Sequence, residues 1–411
     1  MSILDMLSER EVWDGFLEHK RKSDFFPKGE ERALREFIER EEYLPVCERI
    51  ARGEPFPLPS VIRVNKSHTD KKRTVFVFPE SENYVLKLMA YLLYEYDGIF
   101  HRNLYSFRRR VGVKQALISL LKKNGGNRLY SYKVDIHDYF NSVDTDIITG
   151  ILEERLKDDP ALMRFLVALL REPRAKVGGE EAVVQKGIMA GVPISGFLAN
   201  LYLNELDGWF YSRGIPYARY SDDIIVLAES EESLCEYEGV IKEYLRKMKL
   251  EVNERKELRS APGEDWEFLG FRISTNAVDI SASSLRKMKD KMKRKADALV
   301  RWRKRRGAEP NWAVRAHIKH FNRKLYENRS EHELTWCKWY FPTINTPESL
   351  HILDEYMVAC LRYIATGRYT KANYNLRYET LKQLGYRSLV NEFYKFKRES
   401  EASALIKGEE K

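Results

Sequence analysis

The stretch Ile215-Pro-Tyr-Ala-Arg-Tyr-Ser-Asp-Asp-Ile-Ile-Val-Leu-Ala228 constrains the fold more than any other part of the chain. An alternating run through Tyr217 and Arg219 reaches Tyr220, a corner follows at Asp222 and Asp223, and the apolar run Ile224–Ala228 comes next. Runs rich in β-branched and aromatic residues around a short polar turn predict a hairpin. Taken alone, two aspartates in a turn are usually solvent-facing turn formers. A third aspartate, Asp135, closes a separate apolar segment, Tyr132-Lys-Val-Asp-Ile136, and a Gly/Ser-punctuated helix start lies between the two. Three carboxylates on neighbouring strands repel one another, and divalent cations turn that repulsion into a binding site. Mg²⁺ suits such a site, because it takes oxygen ligands and keeps part of its shell for water and phosphates.

Composition sets the surroundings. The 411 residues are 43% hydrophobic, enough for a sizeable core and two or three subdomains. A net charge of +9 favours a polyanionic partner. Cys47, Cys235, Cys337 and Cys360 show no CxxC spacing, which argues against a zinc cluster or disulfide framework and fits a reducing cytosol. The start Met-Ser-Ile-Leu-Asp is unlike a signal peptide, and no apolar run approaches the roughly 18 residues of a membrane span. A soluble, cytoplasmic protein is expected.

Along the chain, Leu34, Phe37, Ile38 and Tyr43–Leu44 predict helix, and Pro55, Pro57 and Pro59 mark a boundary. Strands are expected at Val61–Val64 and Thr74–Phe78, around a basic loop with Lys66, Lys71, Lys72 and Arg73. Two helices over 84–121 follow, with Arg108-Arg-Arg110 between them, and Gly125-Gly126 turns into the strand of Asp135. A helix-rich insertion begins near 145, Gly178-Gly179 predicts a hairpin turn, and Val192–Asp207 a buried helix. A helix over 231–249 and a strand near 266–273 come next. From 281 the composition changes: Leu285, Met288, Met292, Ala296, Leu299 and Trp302 form a helical stripe. Arg286–Arg306 holds twelve Lys/Arg against Asp290 and Asp297, a net +10 suited to tracking a phosphate backbone. His317 and His320 are expected as surface histidines rather than metal ligands. The run Tyr363, Arg368, Tyr369, Lys371, Tyr374, Arg377, Tyr378 could clamp single-stranded nucleic acid or pack helices.

Five of these segments, in order, resemble the palm of a bacterial reverse transcriptase. Tyr220-Ser-Asp-Asp223 is similar to the family's Tyr-x-Asp-Asp hairpin, and Lys133-Val-Asp-Ile-His-Asp-Tyr-Phe-Asn-Ser-Val-Asp144 to its first aspartate motif. Gly191-Val-Pro-Ile-Ser-Gly-Phe-Leu-Ala-Asn-Leu-Tyr202 resembles the segment that starts the helix beneath template and nucleotide. Leu250-Glu-Val-Asn-Glu-Arg-Lys256 and Phe268-Leu-Gly-Phe271 resemble the last two palm motifs, and Lys72-Arg73-Thr-Val a fingers strand. The resemblance covers roughly residues 60–280.

It implies an α+β right-hand polymerase with fingers, an antiparallel-sheet palm and a basic helical thumb. The expected parts are an N-terminal helical extension (1–54), fingers (55–130, with an insertion at about 145–185), palm (131–280), and thumb with C-terminal helices (281–411). The implied activity is RNA-directed DNA synthesis from dNTPs with two Mg²⁺ ions (Mn²⁺ as a substitute), on a noncoding RNA template with nascent DNA. A partner protein or a second copy fits the family's habits, and no membrane is implied. Asp135, Asp222 and Asp223 would carry the metals, with the Ile136 carbonyl on the nucleotide-side ion. Phe140 would stand against the sugar 2′ position, Lys72 and Arg73 would meet the phosphates, and Lys256 would protonate pyrophosphate. Ala190 and Gly191 would lie beside the nucleotide. Ser195, Asn200, Arg286, Lys287, Lys291, Arg294, Lys295 and Arg301 would contact nucleic acid.

The chain departs from the family in one motif. Met189-Ala190-Gly191 replaces the usual Pro-Gln-Gly, so no side-chain amide is offered at 190. The substituted motif and helical C-terminal region look most like the abortive-infection and unknown-group enzymes, many of which act in antiphage defence. Two rivals follow: untemplated or protein-primed DNA synthesis, and a nucleic-acid-binding assembly protein with a relic palm.

Overall fold

The computed structural model describes residues 2–22, 26–65, 72–109, 111–124, 128–326, 335–368, 373 and 375–408. Lys66, Lys71, Arg110, Gly125, Gly126, Tyr369, Lys371 and Tyr374 lie outside them. The chain forms two compact units, one holding residues 28–269 with the N-terminal helices and the other residues 270–411.

In the first unit, β1 (Ser60–Asn65) and β2 (Lys72–Val77) pair antiparallel, and β3 is Tyr130–Asp135. The hairpin of β4 (Arg174–Val177) and β5 (Glu180–Val183) turns on Gly178-Gly179, both at positive φ, and adds to β1. The second sheet runs β6 (Tyr217–Tyr220), β7 (Asp223–Ala228), β3, β8 (Leu258–Ser260), every pairing antiparallel. The central strand β7 reads Asp-Ile-Ile-Val-Leu-Ala, buried throughout after its first residue, because helix Glu231–Lys247 covers one face.

The buried helix expected over Val192–Asp207 is two helices, Ser195–Tyr202 and Asn204–Ser212, and every residue of the first is buried. The N-terminal helices do not stand apart as an extension. Trp13 packs on Phe16, Phe37 and Tyr43, and Asp159 accepts hydrogen bonds from the Ser2 hydroxyl (2.6 Å), the Ile3 amide (2.8 Å) and the Leu162 amide (3.0 Å).

The second unit begins with the antiparallel strands Phe271–Ile273 and Val278–Ile280, then becomes helical. It begins at Gly270. Asp279 accepts from the Ser349 hydroxyl (2.7 Å) and Val278 donates to Asn345 (2.8 Å), tying the strands to the helical part. Helix Ala282–Arg306 starts at a Ser281 cap and stops at Gly307, where φ is +60°. Met288, Met292, Ala296, Leu299 and Val300 face helices Pro310–Leu325 and Glu348–Thr366, while Leu285 and Trp302 are only half-buried.

One expectation fails here. His317 is not a surface residue but fully buried, with Nε2 bonded to the Met292 carbonyl at 3.1 Å; only His320 is exposed. The ring lies on the buried face of its helix with Val314, Ile318 and Phe321. Burial pushes the His317 pKa down from 6.5 to about 4. Between those values the unfolded chain takes up a proton that the folded chain refuses, so stability is lost as pH falls through that window. The loss should reach on the order of 3 kcal/mol by the lower end. Urea denaturation across that range should show this slope in the native chain and a flatter one in His317→Gln, which keeps a donor for Met292. Equal slopes would disprove the assignment.

Candidate active site

Asp135 ends β3 and Asp223 begins β7, and the two are directly opposed across the antiparallel ladder. Opposed residues on such a pair have Cβ atoms about 5 Å apart. Asp222 occupies the two-residue turn between β6 and β7, whose other member, Ser221, takes the left-handed conformation at φ +60°. The turn is anchored on both sides: the Ile136 amide donates to the Asp222 carbonyl (3.1 Å), and the Ser221 amide donates to Ser106 Oγ (2.8 Å). The three acids therefore meet at one end of one sheet.

Their charges are in conflict. Burial first, then the neighbouring Asp135, raises the Asp222 carboxyl above its ordinary range. Burial, with Asp222 and Asp135 adding to it against the opposing pull of Lys133, lifts Asp223 to about 6. Lys256 Nζ lies 2.7 Å from Asp135 Oδ2, Asn253 Nδ2 donates to Oδ1 at 3.0 Å, and Lys133 Nζ is 3.9 Å from Asp223. Among the described residues, no three His, Cys, Asp or Glu side chains are gathered tightly enough to hold an ion in this arrangement. The partners account for that, since Asp135 is turned to Lys256 and Asn253 while Asp223 leans to Lys133. The donor set nonetheless suits a hard divalent cation, whose charge relieves the repulsion between all-oxygen ligands.

Around the acids, the loop 186–191 lies against two other elements. Ile188 donates to the Phe140 carbonyl (2.8 Å), and Phe76 donates to the Ala190 carbonyl (2.8 Å). A Cβ on Gly187 would fall 2.2 Å from the Phe140 oxygen, so only glycine fits there. Gly191, at φ +97°, would bring a Cβ within 3.3 Å of β2 at Val75 and Phe76. Phe140 is half-buried and meets the exposed Phe107 edge to face, with centroids 6.1 Å apart. Lys72 and Arg73 are exposed on β2, and Arg73 is near enough to act on Asp222.

Two expected nucleic-acid contacts do not stand. Ser195 is buried, its hydroxyl bonded to the Ile188 (2.5 Å) and Met189 (2.7 Å) carbonyls. Asn200 is buried too, donating to the Ser106 carbonyl (2.9 Å) and accepting from Ser106 Oγ (3.2 Å). Both brace backbone that carries other groups. Arg286, Lys287, Arg294 and Arg301 are exposed on their helix, with Lys291 and Lys295 half-buried.

Sequence reasoning missed several residues. Asn253 shares Asp135 with Lys256, and its place in a segment already singled out was the available signal. Asn141 carries an amide beside Ala190, whose N–H donates to Asn141 Oδ1 at 3.4 Å. Arg219 and Asp207 form a fully buried ion pair beneath the turn, 2.8 Å from Nε to Oδ1.

Comparison with known proteins bears on this geometry. The family described as "Reverse transcriptase (RNA-dependent DNA polymerase)" matches residues 64–273. Retron Ec86 reverse transcriptase of Escherichia coli is 29% identical over 106 residues, covering 25% of this chain and 33% of that protein. Retron Ec48 reverse transcriptase of Escherichia coli is 24% identical over 183 residues, covering 43% and 42%. The matched stretches thus span less than half of either relative. Among solved structures, apo telomerase from Candida tropicalis superposes at a TM-score of 0.44 with 13% identity, covering 80% of this chain and 68% of that one. Telomerase from Candida albicans with a fragment of telomeric RNA gives 0.42 and 12%, covering 85% and 68%. The matched family segment spans half of this α+β chain and contains all three acids with the sheet that opposes them, so the chain belongs to the reverse transcriptase family and has its right-hand polymerase fold.

Proposed function

We propose that the chain is an RNA-directed DNA polymerase that builds DNA from dNTPs with two Mg²⁺ ions, copying a dedicated noncoding RNA in antiphage defence. The observation that carries this is the opposition of Asp135 and Asp223 across one ladder, with Asp222 at the adjoining turn. Asp135, Asp222 and Asp223 would hold the ions, with the Ile136 carbonyl on the nucleotide side. When bound, such ions activate the primer 3′-hydroxyl and offset charge on the triphosphate and leaving pyrophosphate. The chain's own groups do the rest. Arg73 and Lys72 bind phosphates, a task suited to the guanidinium fork. Lys256, released from Asp135, holds a proton at Nζ for the departing pyrophosphate. The defence role is supported by the altered motif at Met189-Ala190-Gly191 and its likeness to defence-associated groups. Among the described residues no helix is long and apolar enough to cross a membrane.

Phe140 gives this reading a specificity. A half-buried ring beside the sugar leaves neither room nor a partner for a 2′-hydroxyl. Phe140→Ala should therefore narrow the preference for dNTP over NTP by about 10- to 100-fold in kcat/KM. An unchanged ratio would remove Phe140 from that role.

A second reading, untemplated or protein-primed DNA synthesis, is favoured by one observation: the side chain at 190 has no amide. Sequencing DNA and RNA that co-purify from cells separates the two. A fixed complement of a bound RNA supports copying, and homopolymeric or random DNA rejects it.

A further inference from the structure

Within the second unit, helices Ala282–Arg306 and Pro310–Leu325 pack as an antiparallel pair joined at Gly307. Where they meet near the connection, Trp302 and Trp312 stack with centroids 4.6 Å apart and planes 24° from parallel. Trp312 is 55% exposed, an unusual place for the largest apolar side chain. Lys295 and Lys291 lie seven and eleven residues before Trp302, positions that share its helical face. Across the seam, Lys324 depresses the Lys291 pKa, after burial, and Lys295 does the same to His320. The two helices therefore line a row of like charges that ends in a stacked indole pair. Among the described residues no carboxylate forms an ion pair with Lys291, Lys295 or Lys324. Such self-repulsion is costly in the free protein and is relieved by an anion along the row.

We infer that this seam binds a single nucleic-acid strand, its phosphates along Lys291, Lys295, His320 and Lys324 and an unpaired base stacked on Trp312. The row from residue 291 to residue 302 is about 16 Å long at the helical rise. That is long enough for more than one phosphate of a strand to meet the row. An exposed indole backed by a second one offers a rigid π-face that any base can cover. A duplex has no free base face to offer except at its ends, so the occupant is an unpaired strand. The inference draws on the polymerase reading only for the source of that strand, and the site uses none of the catalytic acids.

The test is fluorescence-detected binding of single-stranded RNA to the full chain, with blunt duplex RNA of equal length as the comparison. Single-stranded RNA should quench tryptophan emission, and Trp312→Ala should weaken its binding by roughly 5- to 100-fold. Trp312→Phe should recover most of that, and duplex binding should change little. Lys291→Ala and Lys324→Ala should each lower the slope of log affinity against log salt by about one, less any adjustment for single strands. The same effects should persist with Asp222→Ala/Asp223→Ala present, which separates this site from the polymerase reading. Unchanged single-strand affinity in Trp312→Ala, an equal loss for duplex, or a change in oligomeric state in place of a change in RNA affinity would each overturn the inference.

Discussion

Asp222→Ala combined with Asp223→Ala should leave a folded chain that still binds RNA and incorporates no measurable dNTP. Two of the three oxygen donors at the end of the sheet are removed, and with them the charge that offsets the reacting phosphates. Loss of several kcal/mol of that stabilisation corresponds to at least ~10³-fold in rate. The control lies in stability. At neutral pH both carboxyls are held above their ordinary pKa, Asp222 by burial and Asp135, Asp223 by burial, Asp222 and Asp135, so ionisation there opposes folding. The sign follows from linkage: a raised carboxylate contributes stability below its unfolded value, and that contribution is lost as pH rises through the folded one, about 6 for Asp223. Removing the acids in metal-free buffer should thus raise the melting temperature or leave it unchanged, while divalent cations should raise that of the native chain and not that of the variant. Incorporation retained by the variant would refute the assignment, and a lower melting temperature would show that the lost activity reflects unfolding.

The site was legible in sequence to the extent that local pattern fixes it. The hairpin of residues 217–228 follows from alternation, a polar corner and an apolar run, and Asp135 from its place at the end of another such run. What remained hidden depends on partners far along the chain. Asn200 sits in a motif associated with nucleic acid, yet its amide bonds to the carbonyl of residue 106, which only the folded chain brings close; Ser195, in the same motif, bonds to the nearby carbonyls of residues 188 and 189. Lys256 looks like a solvated lysine until β3 and the segment following helix Glu231–Lys247 are adjacent, whereupon it pairs with Asp135. His317 lies in a strongly basic helix, yet it falls at helical spacing on the apolar face with Val314, Ile318 and Phe321, a signal the basic residues outweighed, and the carbonyl it bonds to belongs to a different helix. Residue type gave the chemistry available; burial and pairing decided its use.

Arg219 illustrates that division and carries the second large effect. In the sequence it alternates with Tyr217 and resembles an ordinary exposed cation of a strand. In the fold it is completely buried, with Asp207 also at zero exposure. Its Nη2 bonds to Asp207 Oδ2 (2.5 Å) and to the Asn200 carbonyl (3.2 Å), and Nη1 reaches the Ser221 carbonyl at 3.4 Å. Tyr217 Oη donates to Asp207 as well, at 3.0 Å. Burial works against the guanidinium charge, and Asp207 overrides it, holding the group above its ordinary pKa. Asp207→Ala leaves that charge buried with no counter-ion, which should cost about 3–5 kcal/mol in urea denaturation. Asp207→Leu with Arg219→Met removes both charges and should recover most of the loss. Primer extension by the double variant then isolates the role of Arg219 at the turn. If the bond to the Ser221 carbonyl holds the Asp222 corner in place, kcat should stay low despite restored stability, with nucleotide KM little changed. Full recovery of kcat would make the pair purely structural, and a cost under about 1 kcal/mol for Asp207→Ala would contradict its burial altogether.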